Sequence, residues 1–146
     1  ARVGNMFVGT VTAVGAGVEG FADGDVVLSY GPFREVHVVS TGRCWKMPEG
    51  FSWKSAVCLD PADFAMGAVR DGQVRVGDAV AVFGMGAIGL MVVQIAKLSG
   101  AYPVIAADPL ENRRQAAVAC GADLTFDPTA CDAGVEVKRA TGRLRE

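Results

Sequence analysis

The apolar positions of this chain change rhythm near residue 50 and again near residue 78. In the first stretch they alternate over short spans. Val8-Gly9-Thr10-Val11-Thr12-Ala13-Val14 reads as a strand, ended by Gly15-Ala16-Gly17. Phe21-Ala22-Asp23-Gly24-Asp25 reads as a turn. Residues 26–29 and 35–39 read as further strands, with Gly31-Pro32 breaking the chain between them. Short strands between glycine turns predict a small β-barrel or sandwich. Met47-Pro48-Glu49-Gly50 closes this region. Ser52 is placed to cap a short helix through Val57, and Asp60-Pro61 reads as a second helix start. Asp60 would be the cap, Pro61 the first helical position, and Asp63 a complement to the positive helix end. Asp71-Gly72 would stop that helix.

From Asp78 the pattern alternates strand, helix, strand, helix, strand. Residues 79–83 are a continuous apolar run, as a buried parallel strand requires. Residues 87–99 read as a helix with Ile88, Met91, Val92, Ile95 and Leu98 on one face and Gln94 and Lys97 opposite. Gly100 stops it. Residues 104–107 form a second apolar strand, and residues 111–120 a second helix closed by Gly121. Residues 123–126 make a short third strand, ended by Asp127-Pro128, and a last helix runs from about Cys131 to Ala140.

Composition narrows the classes. The chain has 146 residues, 51% apolar and 21% charged, which can build a core and does not suggest disorder. The net charge is -2, and the basic residues near the end are interrupted by acids without interleaved aromatics. Solvated helix faces account for them, so no nucleic-acid partner is expected. Cys44, Cys58, Cys120 and Cys131 form no C-x-x-C pair, which argues against a zinc ribbon and for reduced thiols in a cytoplasmic protein. No signal peptide is visible, and no apolar stretch is long enough to span a bilayer. The first residue, Ala1, falls inside a strand pattern with no initiator Met, so the chain reads as part of a longer protein.

The chemistry-bearing motif is Gly84-Met85-Gly86-Ala87-Ile88-Gly89. It follows a predicted strand and opens a predicted helix, the context a dinucleotide-binding turn needs. Gly84 permits the tight turn, Gly86 lets a pyrophosphate approach the backbone, and Gly89 lets the helix pack closely. Free N–H groups and the helix dipole of residues 84–89 then hold the phosphates. Asp108 ends the second strand about twenty residues past the glycines, where a carboxylate accepts from ribose hydroxyls and repels a 2′-phosphate. NAD is therefore favoured over NADP, although Arg113 and Arg114 lie close by. A plain tight turn and a plain helix start are the alternatives, and FAD and S-adenosylmethionine sites use related motifs. The expected fold class is α/β: the first half of a Rossmann, doubly wound parallel sheet, strand order 3-2-1 with right-handed crossovers, preceded by a β-rich remnant.

Gly84 to Gly89, Asp108 and Gly121-Ala122-Asp123 resemble the cofactor domain of medium-chain dehydrogenases of the alcohol, sorbitol and threonine dehydrogenase type. Val8-Gly9-Thr10-Val11, Val14-Gly15, Val18, Phe21 and Gly24-Asp25-Val26-Val27 resemble the end of that family's GroES-like catalytic domain. The resemblance implies residues 1–52 as a partial GroES-like domain, 53–77 as connecting helices and 78–146 as the N-terminal half of the NAD-binding domain. It also implies a chain covering under half of a family member. Where the zinc enzymes read Gly-His-Glu, with the His a zinc ligand, this sequence reads Gly4-Asn5-Met6. A later zinc ligand aligns with Asp60, in Leu59-Asp60-Pro61, and the structural zinc lobe is missing. The family's first zinc-binding Cys would lie before Ala1, so the resemblance implies a doubtful zinc site, with Asn5 a poor ligand and Met6 no acid.

The resemblance implies an oxidoreductase that holds NAD and passes hydride to or from a small alcohol, polyol or ketone. The alternatives are a non-catalytic nucleotide-binding module and a zinc-free NADPH quinone or enoyl reductase. Asp60 reads as a helix cap or as a catalytic-site group. Tyr30, His37 and Lys54 are further groups able to polarise an oxygen or move a proton, with His37 read as an exposed strand position. Trp45 and Trp53 read as packing residues. Arg113 matches a basic position that in the family helps hold the adenosine ribose. Residues 79–83 would present an unpaired apolar edge, which predicts self-association, strand exchange or a covering segment, and hence a homo-oligomer.

Overall fold

The computed structural model describes residues 3–143. They form two compact units that divide between Asp60 and Pro61.

The first unit holds an antiparallel sheet in the order β1 (Met6–Thr10), β2 (Val26–Tyr30), β3 (Cys44–Lys46). Val8 lies opposite Leu28 in the β1–β2 register, and Leu28 opposite Trp45 in the β2–β3 register. Met6, Leu28 and Ala56 make its small core, flanked by Val8 and Met47. Helix α1 (Trp53–Ala56) starts at Ser52, whose hydroxyl accepts the Lys54 N–H at 3.3 Å, as its sequence suggests.

The strands of this unit depart from the alternation of the sequence at several places. Strand β1 ends at Thr10 rather than near Val14. Val11 still donates its N–H to the Asp25 carbonyl at 2.9 Å, but residues 12–14 have no partner strand among the described residues. Residues 35–39 are not a strand, and Val36 and Val38 stand exposed. The third place in the sheet goes to Cys44–Lys46, after a tight turn at Thr41–Arg43. Buried Ser29 anchors that choice by donating its hydroxyl to the Arg43 carbonyl at 2.7 Å. Alternation without an edge to pair with does not make a strand. His37 is accordingly half-buried, stacked on Phe7 with ring centroids 3.8 Å apart, and not an exposed strand residue. Trp45 and Trp53 are exposed rather than packed in a core.

Helix α2 (Leu59–Asp71) begins one residue before its expected cap, so Asp60 lies inside the first turn. It ends before Gly72, as the sequence suggests.

The second unit carries a parallel sheet in the order β4 (Val80–Phe83), β5 (Val104–Ala107), β6 (Leu124–Phe126). This is the expected 3-2-1 arrangement. Helices α3 (Ala87–Leu98) and α4 (Glu111–Ala119) alternate with the strands, and α5 (Ala133–Ala140) follows β6. Val82, Val104 and Ala106 meet Val93, Ala96 and Ala117 in one core. All four residues of central β5 are buried, as a continuous apolar run requires. Among the described residues strand β4 pairs only with β5, and of its residues only Val82 is buried.

The face of α3 also differs from the expected one. Gly89, Val93 and Ala96 are buried, whereas Ile88 is 48% and Leu98 88% exposed. Nearly every position of this helix is apolar, so periodicity does not single out a face. The small residues decide it, because they allow the closest approach to loop and sheet.

Candidate functional site

The carboxyl end of the parallel sheet builds the site from a turn, a helix start and one acid. Strand β4 ends at Phe83, and Gly84 follows with φ +88, a left-handed value that suits glycine. Its N–H is paired with the Ala107 carbonyl at 2.8 Å, which fixes the turn against the end of β5. Gly86 is the N-cap of α3 and has no side-chain cap. A Cβ placed on Gly84 or Gly86 would meet nothing within 4 Å, so the mouth of the loop is not filled by side chains. Gly89 is the opposite case. A Cβ there would lie deep inside van der Waals contact of the Gly84 carbonyl oxygen. The close approach is therefore helix against loop, rather than helix against strand.

Asp108 joins this loop. It is 2% exposed, and its Oδ2 accepts the Met85 N–H at 2.8 Å while its Oδ1 accepts the Leu110 N–H at 2.8 Å. The Leu110 and Met85 amides, with the Arg113 guanidinium, hold its carboxyl below the usual carboxylate range. Each carboxylate oxygen keeps a further lone pair. Arg113 lies 3.7 Å from Oδ2 with an exposed side chain. Met85 is buried beneath the loop, so it contributes backbone and packing, and Ala87 and Ile88 stand exposed in the first turn of α3. The structure thus brings together Gly84, Met85, Gly86, Ala87, Ile88, Gly89, Asp108 and Arg113.

Sequence reasoning missed two supports. The Met85 amide as partner of Asp108 spans 23 residues and leaves no local signal. Arg114 donates to the Asp108 and Pro109 carbonyls at 2.7 and 2.9 Å, and is not part of a solvated basic face. The Asp108–Leu110 bond was not read either, although an aspartate that binds the amide two residues on is a local signal that could have shown it.

Asp60 sits in the first unit's final residues, where its Oδ2 accepts from the Asn5 Nδ2 at 2.7 Å. This places together the two positions at which the resemblance implies zinc ligands. Asn5 is a poor zinc ligand, and the single Asp60 carboxylate does not make a site that needs three protein ligands. Among the described residues no cluster of three His, Cys, Asp or Glu side chains could hold a metal. The residues present do not fit a catalytic zinc. Tyr30 packs edge-on against Trp45, Lys54 lies over the Trp53 ring, and His37 stacks on Phe7 with a buried, unpartnered Nε2. None of the three is hydrogen-bonded to Asp60 among the described residues. The four cysteines are free thiols. No described helix is long and apolar enough to cross a membrane.

Comparison with known proteins agrees with this architecture. Residues 87–144 match the profile of the family described as zinc-binding dehydrogenase. The chain is 47% identical over 145 residues to D-guloside 3-dehydrogenase of Escherichia coli (strain K12), covering 97% of this chain and 41% of that protein. It is 31% identical to (R,R)-butanediol dehydrogenase of Bacillus subtilis (strain 168), covering 96% of this chain and 48% of that protein. A solved structure of an NAD-dependent alcohol dehydrogenase superposes with a TM-score of 0.81 at 31% identity, covering 97% of this chain and 51% of that one. The chain belongs to the medium-chain dehydrogenase/reductase superfamily. It spans less than half the length of these two enzymes. The butanediol dehydrogenase alignment runs over 168 residues, more than the 146 of this chain, so within the aligned span that relative carries residues this chain lacks.

Proposed function

We propose that this chain supplies the adenosine- and pyrophosphate-binding half of a nicotinamide-dependent oxidoreductase acting on a small alcohol, polyol or ketone, with NAD as its cofactor. The supporting observation is the Asp108 carboxylate, bound to the Met85 amide inside the glycine turn. Gly86 and the start of α3 offer an open backbone surface to a diphosphate. Asp108 offers its remaining lone pairs to a ribose diol. Arg113, whose own side chain is exposed, must move off the buried carboxylate for that contact. A 2′-phosphate would meet a carboxylate that stays ionised, and Arg114 is already committed to backbone carbonyls. Both features favour NAD over NADP.

When bound, the nicotinamide supplies the hydride chemistry. The chain's own part is to bind and orient. Asp60, steadied by Asn5, is the acid proposed to accept a hydrogen bond from a substrate hydroxyl. A homo-oligomer and a cytoplasmic site of action belong to the same reading.

Calorimetry of NADH against NADPH on the full gene product tests the cofactor assignment. Tighter NADH binding is expected, and clear NADPH preference overturns it. Asp60→Asn should lower kcat and leave the dinucleotide KM unchanged. Equal kcat would remove Asp60 from the reaction.

A further inference from the structure

We infer that Arg114 is a positioning residue for the dinucleotide, acting through the backbone that carries Asp108. The inference rests on the nucleotide-binding reading above. Arg113 and Arg114 are adjacent on α4, yet they face different tasks. Arg113 reaches outward past the Asp108 carboxylate. Arg114 turns inward, with its side chain 20% exposed. Its guanidinium donates to the carbonyls of Asp108 and Pro109, and lies 3.7 Å from the Asp127 carboxylate.

Those partners are the ends of two neighbouring strands. Asp108 follows β5 and Asp127 follows β6. The main-chain link between the ends is weak, since the Asp108 N–H reaches the Phe126 carbonyl only at 3.3 Å. Asp127 is itself held, its Oδ1 accepting from the Thr129 amide at 2.8 Å and the Thr129 hydroxyl at 2.6 Å. The guanidinium therefore ties the turn at residues 108–110 to a fixed point beyond β6. That turn aims the Asp108 side chain at the Met85 amide. Two charge-assisted bonds to consecutive carbonyls define its direction more tightly than one would. Released, the turn could rotate and carry the acid off the glycine loop while the sheet stayed intact.

The test is steady-state kinetics and calorimetry on the full gene product, comparing Arg114→Gln and Arg114→Lys with the wild type. Arg114→Gln should raise the KM and Kd for NAD roughly tenfold, the value of one charge-assisted bond. Substrate KM and kcat at saturating NAD should stay within about twofold of wild type by the same reasoning, because the loss lies in binding alone. Arg114→Lys keeps a charged donor and should recover most of the affinity. Folded Arg114→Gln protein with unchanged NAD affinity overturns the inference, as does a parallel fall in every parameter that tracks the melting temperature. Should Arg114→Gln not fold, Asp127→Asn decides: weakened NAD binding supports the tie and unchanged binding refutes it. A wild type that binds no dinucleotide sinks the nucleotide-binding reading and this inference together. A wild type that binds, with variants that bind equally, sinks only this one.

Discussion

The Asp108 carboxylate and the Met85 amide are joined at 2.8 Å across the ends of β4 and β5, so the acid and the glycine turn are one structural unit. Disturbing either end should disturb the other. The anion is stabilised by backbone dipoles rather than by a buried counter-charge, which keeps it ionised while satisfying two amides that would otherwise be unpaired.

That arrangement has a pH consequence. Asp108 is lowered chiefly by the Leu110 and Met85 amides, Asp127 by the Thr129 side chain and amide, and Asp25 by Lys46. Burial pushes Asp123 up, but Lys97 and the Val104 amide outweigh it and the net shift is downward. A carboxyl depressed in the folded state stabilises the fold above its unfolded value of 3.8. That stability is lost as pH falls through the folded pKa. Melting temperature should be flat above about pH 5 and drop steeply below the unfolded carboxyl range. A rise in melting temperature on acidification would contradict these assignments.

Gly86 and Gly89 should separate binding from folding. Gly86 has φ -82 and ψ -166, a conformation alanine adopts, and open space before it. Gly86→Ala should keep the wild-type melting temperature and lose most NAD affinity, because its methyl fills the approach to the turn. Gly89→Ala must push α3 off the Gly84 carbonyl and should cost about 2–4 kcal/mol in urea denaturation. The reverse pattern would mean that the loop does not face the ligand.

Asp123 has a structural task. Its Oδ2 accepts the Val104 amide at 2.7 Å and its carboxylate pairs with Lys97 at 2.8 Å. Asp123→Ala should destabilise by about 1–3 kcal/mol, since it strands an amide at the start of β5. NAD affinity of the folded variant should not change, and a selective loss of affinity would give the residue a role at the site.

Edge exposure predicts association of the 146-residue chain by itself. Among the described residues strand β4 has a single neighbour, and Phe83 at its end is 58% exposed. An unpaired apolar edge recruits another strand. Light scattering should show dimers or larger species, and a monodisperse monomer would contradict this.

Chelation provides the last test. With Asn5 donating to Asp60, extended treatment with a chelator should leave melting temperature and NAD affinity unchanged. Metal analysis of the purified protein should find zinc well below one per chain. Stoichiometric zinc that survives dialysis, or a melting transition lowered by chelation, would show that ligands gather there after all.

What was readable in the sequence is what short-range physics fixes. The glycine turn, the strand before it, the helix after it and the acid ending the next strand follow from local conformational preference and apolar runs, as Gly84 to Gly89 and Asp108 illustrate. The parallel order of β4, β5 and β6 followed too, because connections of this length leave few ways to pair strands. Three matters were left to the tertiary structure. The buried face of α3 was set by the methyl-free Gly89 meeting a carbonyl, a contact no periodicity records in a helix apolar all round. The third strand of the first unit was set by which segment could complete the edge of β2, so Cys44–Lys46 displaced the alternating residues 35–39. The hydrogen bond between Asn5 and Asp60, at positions the resemblance already assigned to one site, and the inward turn of Arg114 came from contacts that a linear pattern cannot specify. Local preference acts on neighbours in the chain, whereas packing and long-range hydrogen bonds choose among distant partners, and only the folded chain brings those within reach.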